Sequence, residues 1–337
     1  MKKKKIIIYS IIFILLFFLV FYVIFSNHDI GAFYENIKLL DYKYIIISLI
    51  LVFMYFLCQG IYMKYMLNVL DVSITLVKGL YYSIVEFLFN AITPGATGGQ
   101  PLQLFYMVKD KIPATKSIIV LLINTMIFKV FLIIGGIFII IFRNNYIFDN
   151  GTIVNVLFWF GLLVDVFIIL AYLMLMYNQK FIKKLFNLFY RIKKKIFKKS
   201  SVNGDKGDEI IGKYVNEAIF LKNNYKKLFI PIIITFIQRI FMFSITYVLY
   251  RGLGFSDFSY IDLLLLQIFI QITIEGIIIP GAMGVSEYVN NNMYVIIFGT
   301  LSISGMIVSR ALSFYIPLLV IVFIIVFVTR FGYLKNK

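Results

Sequence analysis

Histidine and cysteine are almost absent from this sequence, since its 337 residues contain one of each, His28 and Cys58. A structural disulfide within the chain is therefore impossible, and a Cys/His zinc site would have too few ligands. A Ser/His or Cys/His catalytic dyad would depend on His28 alone. A P-loop and an acidic triad are also lacking, so ATP coupling would require a partner protein. The sequence thus predicts no catalytic residue, no bound metal and no cofactor.

Acidic residues are also scarce, because 16 Asp and Glu stand against 33 Lys and Arg. The excess positive charge is concentrated at Lys2–Lys5 and in the segment between Lys180 and Lys227. Positive charge marks the cytoplasmic side of a membrane protein, so both regions are placed inside the cell and nucleic acid binding is not predicted. Apolar residues recur at helical spacing from Phe181 to Ile196, which indicates an interfacial helix on the anionic inner leaflet or a plain tethering helix.

Hydrophobic residues, by contrast, make up 61% of the chain. Several apolar runs reach the roughly 20 residues that cross a bilayer core as a helix. The first run is longer than the core of a signal peptide and has no small-residue cleavage site after it, which predicts a retained helix. The six best runs are Ile6–Phe25, Tyr44–Met63, Ser117–Phe142, Val154–Met176, Leu228–Tyr250 and Ile307–Val328.

The six runs can be placed as successive membrane crossings that start from a cytoplasmic N-terminus. Two segments, 78–116 and 258–303, then remain unassigned. Each must begin and end on one side of the membrane, so each is a re-entrant hairpin or a pair of short crossings. The sequence therefore predicts one all-α polytopic membrane domain over 1–337, with about eight membrane segments and a cytoplasmic C-terminus. Its two halves, 6–176 and 228–330, flank the basic cytoplasmic loop 177–227.

Both leftover segments contain a Pro-Gly break, at Pro94–Pro101 and at Pro280–Glu287. Breaks at corresponding places in two halves that enter from opposite sides are typical of inverted repeats in secondary transporters. Irregular backbone at membrane depth requires protein or a water-filled cavity around it, and helices restarting there would point their positive ends at an anion. Pro101 suits a first helical turn and Ser286 suits an N-cap. The alternative is that Pro-Gly merely kinks two packed helices.

Ionisable residues within the apolar stretches are expensive in hydrocarbon and usually face a bundle interior, a partner or a water path. They are Glu86, Lys129, Asp165, Arg239, Glu275 and Arg310. Glu86 and Glu275 have Lys129, Arg239 and Arg310 as possible partners, and the sequence alone does not assign the pairs. For Arg239 and Glu275, structural ion pairing and substrate contact both remain open.

The stretches Ile92–Gln103, Phe105–Met107 and Pro280–Glu287 resemble the lysylphosphatidylglycerol synthase transmembrane region, the flippase-like domain of the MprF proteins. The resemblance covers nearly the whole chain. Many members carry an acidic residue and an arginine where Gln100 and Gln103 stand here, and the glutamine pair is similar to low-GC Gram-positive members. The resemblance implies residence in the bacterial plasma membrane, transport of aminoacylated phosphatidylglycerol between leaflets and a link to antibiotic resistance.

In bifunctional members, the resemblance implies, a separate soluble domain transfers lysine from lysyl-tRNA to the lipid. Here only a few residues follow the last apolar run, and the basic loop is too small for such a domain. The preferred hypothesis is thus a flippase or transporter for an anionic or aminoacylated phospholipid or another lipid-linked phosphate. The alternatives are a phosphatidylglycerol lysyltransferase, acting alone or with a partner, and a membrane scaffold. Of the three hypotheses, only the lysyltransferase involves nucleic acid binding, to lysyl-tRNA. Expected partners are anionic phospholipids, the membrane, and a separate synthase or a second copy of the chain.

The candidate substrate-binding residues lie in and beside the two breaks. They are Pro94, Gly95, Thr97, Gly98, Gly99, Gln100, Gln103, Pro280, Gly281, Gly284, Ser286 and Glu287.

Overall fold

The computed structural model describes residues 38, 40–93, 98–142, 152–178, 180–182, 184, 204–275, 285–321 and 323. Every regular element in these residues is helical, which confirms the predicted all-α class. The helices in chain order are α1 Tyr42–Val69, α2 Leu76–Ile92, α3 Gly99–Lys109, α4 Ala114–Phe142, α5 Thr152–Tyr177, α6 Gly204–Asn223, α7 Phe229–Gly252, α8 Tyr260–Glu275, α9 Val285–Phe298 and α10 Ser302–Arg310. A π-helical turn, Ala311–Tyr315, continues α10.

Five stretches of the described chain are long and apolar enough to cross a membrane. They are Tyr42–Val69, Ala114–Phe142, Thr152–Met176, Tyr225–Gly252 and Tyr288–Ile321. Large apolar side chains such as Phe53, Leu163 and Phe167 are more than 60% exposed on them, as a lipid-facing surface requires. The chain is therefore a multi-pass membrane protein. The predicted run Ile6–Phe25 lies outside the described residues, and the predicted total of about eight segments is not established.

The fifth stretch, Tyr288–Ile321, is not one straight helix. Gly299 has a φ of +51°, in the left-handed region where glycine carries little strain, and it separates α9 from α10. The Tyr294 hydroxyl donates a hydrogen bond of 2.9 Å to the Ser309 hydroxyl. These residues would be about 22 Å apart along a continuous helix, so α9 and α10 fold back on each other. The chain from Ser302 onward is the limb that corresponds to the predicted run Ile307–Val328.

Helices α2 and α3 form an antiparallel hairpin, here called hairpin 1. At its open end, the Tyr82 hydroxyl donates a 2.8 Å hydrogen bond to Asp110, and Lys78 lies 3.4 Å from the same carboxylate. At its closed end, the Gly99 backbone contacts the side chain of Asn90. With 17 and 11 residues the two limbs are about 25 and 16 Å long, so α3 is too short to cross a bilayer core.

Helices α8 and α9 form a second antiparallel pair, hairpin 2. The Gln267 amide donates a 3.1 Å hydrogen bond to the Tyr294 hydroxyl, which joins the middles of the two helices. The described parts of the two limbs have 16 and 14 residues. The structure thus contains paired helices at both segments that the six apolar runs left over.

Helix α6 lies in the segment 177–227, for which the sequence predicts a basic loop with an interfacial helix near residues 181–196. Most of that interfacial region lies outside the described residues. The helix that is described, α6, buries Ile211, Val215 and Leu221 in the same apolar cluster as α4 residues. Lys116 at the start of α4 lies 3.6 Å from Glu217 of α6. The helix α6 therefore packs against the end of the bundle.

Candidate functional site

The closed end of hairpin 1 reaches the middle of α4. The side-chain amide of Gln100, in the first turn of α3, donates a hydrogen bond to the Thr125 hydroxyl. The open end of this hairpin leads through residues 110–113 directly into the start of α4. Hairpin 1 therefore extends along α4 from its N-terminal end to Thr125.

The closed end of hairpin 2 reaches the same part of α4 from the other direction. Ile268 of α8 packs on Gly135 of α4, and Ile272 packs on Gly136. Glu275, the last residue of α8, is paired with the Lys129 ammonium. Because Thr125 and Lys129 are one helical turn apart, about 6 Å along the axis, the two hairpins meet from opposite ends halfway along α4.

Two polar clusters lie where the hairpins meet. The first, the Glu86 cluster, is built around the Glu86 carboxylate of α2, which accepts a 3.0 Å hydrogen bond from the Gln59 amide of α1. The Gln103 amide of α3 and the Arg239 guanidinium of α7 both stabilise the charged form of Glu86 electrostatically. The cluster thus draws one polar side chain from each of four helices.

The second cluster, the Lys129 triad, joins α4, α5 and α8. The Lys129 ammonium donates a 2.8 Å hydrogen bond to Oδ1 of Asp165 and also contacts Oε2 of Glu275. The Gln271 amide donates a 3.2 Å hydrogen bond to the other oxygen of Glu275. Asp165 is fully buried and Lys129 nearly so. Breaking such a buried pair by removing one partner costs about 3–5 kcal/mol, so the triad anchors hairpin 2 to the bundle.

Phe128, the central residue of α4, lies near one cation of each cluster. The Arg239 guanidinium carbon lies 3.7 Å from the centroid of the Phe128 ring, and Lys129 Nζ lies 5.7 Å from it. A cation over an aromatic face gains roughly 0.5–2 kcal/mol, more when water is excluded. The ring therefore gives one cation of each cluster a favourable aromatic contact.

The structure places the predicted site residues unevenly. Gly98, Gly99, Gln100 and Gln103 are described, and Gln103 is fully buried beside Met63, with its Nε2 3.8 Å from Sδ. Outside the described residues lie Pro94, Gly95, Thr97, Pro280, Gly281 and Gly284, together with the side chains of Ser286 and Glu287. The substrate role of all these residues stays a prediction.

The start of α3 differs from the expectation of free N–H groups. The Gly98 N–H donates a 2.9 Å hydrogen bond to the Thr93 hydroxyl, and the Gly99 N–H donates a 3.0 Å hydrogen bond to the Asn90 side-chain oxygen. These two donors are therefore satisfied by the last turn of α2, and an anion would have to displace Asn90 or Thr93 to use them. Pro101 does lie in the first turn of α3, as predicted.

At the second break, Ser286 lies within helix α9 and is not the N-cap that the sequence indicated.

Of the predicted intramembrane charges, Glu86, Lys129, Asp165, Arg239 and Glu275 lie in the two clusters. Arg310 instead interacts electrostatically with Tyr294, whose hydroxyl forms hydrogen bonds with Thr246 and Ser309. Three glutamines also lie within the apolar helices: Gln267 and Gln271 make hydrogen bonds, whereas both amide atoms of the buried Gln238 lack a partner among the described residues.

Sequence reasoning missed Gln59, Thr125 and Phe128. A glutamine within the second apolar run is a detectable signal for Gln59, because polar residues are uncommon on lipid-facing surfaces. Nothing in the sequence distinguishes Phe128 from the other 35 phenylalanines, and its role depends on where α7 places Arg239.

The described residues contain no group of three or more His, Cys, Asp and Glu side chains that could hold a metal ion. The site instead offers buried cations, carboxyl groups and amides, which suit the binding of a charged or polar ligand.

Comparison with known proteins identifies the family. Neither the curated proteins nor the solved structures contain a match to this chain. Residues 7–321, nearly the whole chain, match the family described as lysylphosphatidylglycerol synthase TM region. This multi-pass membrane protein therefore belongs to the lysylphosphatidylglycerol synthase transmembrane region family.

Proposed function

We propose that this protein moves a lipid with an anionic or phosphate-bearing headgroup, such as an aminoacylated phospholipid, between the two membrane leaflets. The observation that carries the proposal is the meeting of hairpins 1 and 2 at Thr125 and Lys129 of α4. Broken helices that approach the midplane from opposite sides place polar groups where a headgroup must pass. Family membership and the apolar exterior support a lipid as the substrate.

Several buried polar atoms around this meeting point support a polar ligand. They lack a hydrogen-bond partner among the described residues, and leaving such groups unpaired costs about 1–3 kcal/mol each. They are Oε1 of Gln59, Oε1 of Gln103, Oδ1 of Asn124, both amide atoms of Gln238 and Nε of Arg239. A headgroup that carries both donors and acceptors would satisfy groups of both kinds.

Arg239 is the residue that we assign to the phosphate. Its guanidinium is held over Phe128 and lies 5.7 Å from the Tyr55 ring centroid, so its position is fixed before a ligand arrives. Glu86 balances its charge through space. A planar guanidinium binds phosphate oxygens in pairs, which makes arginine well suited to a lipid phosphate.

The proposed membrane arrangement comprises about eight segments in the bacterial plasma membrane, with both termini in the cytoplasm. In this arrangement 6–176 and 228–330 form an inverted repeat, and hairpins 1 and 2 are re-entrant from opposite sides. The Pro-Gly residues of both breaks line the path of the headgroup. A separate synthase that supplies the aminoacylated lipid, or a second copy of the chain, is the proposed protein partner.

Lipid movement in proteoliposomes tests the proposal. The purified chain is reconstituted with a trace of fluorescent phosphatidylglycerol, and a membrane-impermeant reductant reports how much of the probe reaches the outer leaflet. We expect the reductant to quench the inner-leaflet probe faster than in protein-free liposomes, because the protein carries that probe to the outer leaflet. Arg239→Gln should abolish this gain, whereas Arg251→Gln, which alters an exposed arginine on the same helix, should retain it. A wild-type rate equal to that of protein-free liposomes would reject the proposal.

The lysyltransferase alternative has its own test. Lipids from a host that lacks aminoacylated lipids, expresses this chain and receives labelled lysine are analysed by mass spectrometry. We expect no labelled lysyl-phosphatidylglycerol. Its appearance would show that the chain, alone or with a host protein, makes the lipid.

A further inference from the structure

The Lys129 triad contains one more carboxyl group than its ammonium can neutralise. Lys129 is 8% exposed in its side chain, Asp165 is 0% exposed and Glu275 is 14% exposed. Water therefore contributes little to the stability of the second negative charge, and in a low dielectric two carboxylates close together are strongly disfavoured.

Other charged groups around the triad do not supply the missing positive charge. On α7, Arg239 lies over the Phe128 ring and has Glu86 of α2 as its electrostatic counterpart. On α5, Tyr172 is a hydrogen-bond neighbour of Thr125 and faces Lys129. On α8, the neighbouring polar group is the neutral Gln271. The balance within the triad is thus one cation to two carboxyl groups.

The two carboxyl groups also lie close to each other, since Oδ1 of Asp165 and Oε2 of Glu275 both contact the Lys129 ammonium. Two ionised carboxylates this close repel each other strongly in a low dielectric, which favours a proton on one of the two. Oδ2 of Asp165 is the oxygen that is buried and has no partner among the described residues. A proton on this oxygen or on Glu275 removes the excess negative charge.

A metal ion fits the triad less well than a proton does. Metal cations such as Ca²⁺ and Mg²⁺ need about six or more oxygen ligands, whereas the triad offers two carboxyl groups with a competing ammonium between them. A proton needs one donor and one acceptor oxygen and no further coordination.

We propose that the Lys129 triad is a proton-binding site inside the membrane, in which Asp165 and Glu275 share one exchangeable proton. Glu275 is the last residue of α8, at the closed end of hairpin 2. Binding the proton leaves the triad neutral, and releasing it leaves a net negative charge at that end. The position of hairpin 2 on α4 therefore depends on proton occupancy, whether or not the chain moves lipid.

Infrared spectroscopy of the purified full-length chain in lipid nanodiscs tests this site. We expect a carbonyl band of a protonated buried carboxyl group at neutral pH, which shifts in heavy water and disappears at alkaline pH. Asp165→Asn and Glu275→Gln should each remove the band, because each leaves one carboxylate paired with Lys129. Glu209→Gln, which changes an exposed carboxyl on α6, should leave the band intact.

Circular dichroism and gel filtration establish which variants are folded. Because either of two variants can remove the band, one folded variant is enough to decide. No protonated-carboxyl band in the folded wild-type chain would overturn the proposal. A band that persists in a folded Asp165→Asn or Glu275→Gln variant would also overturn it, since the proton would then reside on another carboxyl such as Glu86.

Discussion

Gly161 of α5 lies directly against the backbone carbonyl of Ile272 of α8. A Cβ atom at Gly161 would be 1.9 Å from that oxygen, closer than any side chain can approach. Small residues allow this kind of backbone contact between membrane helices, where packing and not hydrophobicity drives association. The contact sets the position of α8 along α5. Ile272 lies three residues before Glu275, which pairs with Lys129.

Substituting Gly161 should therefore displace hairpin 2. We expect Gly161→Ala to lower the free energy of unfolding by about 1–3 kcal/mol, because the added carbon meets backbone that has no room to move. Thermal unfolding in detergent measures the change. Gly212→Ala is the matched control: it lies on α6 with nothing within 4 Å of the added carbon, so it should stabilise the chain by roughly 0.5–1 kcal/mol. Equal stability of Gly161→Ala and wild type would contradict the contact.

Lys129→Gln should destabilise the protein far more than an equivalent change at the surface. The substitution leaves Asp165 and Glu275 buried without a cation, and we expect a loss of about 3 kcal/mol. Lys213→Gln breaks the exposed pair with Glu209, where water already screens both charges, and should change stability within experimental error. Unfolding in detergent provides the comparison. Similar losses for the two variants would show that the triad is not buried as described.

Thr93→Val should loosen the closed end of hairpin 1 without changing side-chain size. The Thr93 hydroxyl caps the Gly98 N–H, and losing such a cap costs about 1 kcal/mol, so amide exchange at Gly98 and Gly99 should accelerate about fivefold. Hydrogen–deuterium exchange measures this change. Thr75→Val removes the N-cap of α2 and should affect exchange near Lys78 only. Unchanged exchange at Gly98 in Thr93→Val would argue against the cap.

The sequence was sufficient to predict four of the long helices and the interruption in segment 78–116. Apolar runs of about 20 residues leave little choice in a bilayer, and Pro-Gly cannot continue a helix. The runs Tyr44–Met63, Ser117–Phe142, Val154–Met176 and Leu228–Tyr250 each lie within a described helix. A reversal between segment 258–303 and the run Ile307–Val328 follows from the threading, but its position at Gly299 was not predicted, since the apolar pattern continues through that residue.

The pairing of the charges could not be read from the sequence. Lys129 is 36 residues from Asp165 and 146 residues from Glu275, so their contact depends on how three helices pack. Glu86, Lys129, Arg239 and Glu275 were recognised because charge is rare in apolar runs. The pair of Glu275 with Lys129 depends on how α8 packs on α4. The electrostatic interaction of Glu86 with Arg239 depends on how α7 packs beside α1.

The central claim is that the two hairpins enter the membrane from opposite faces, and cysteine labelling tests it most directly. In a Cys58→Ala background, single cysteines replace Lys109 at the open end of hairpin 1 and Ser256 just before hairpin 2, both exposed. A membrane-impermeant maleimide is applied to intact cells and to permeabilised cells. We predict labelling of Ser256→Cys in intact cells and of Lys109→Cys only after permeabilisation. Labelling of both positions from the same side would contradict opposed hairpins and the lipid path between them.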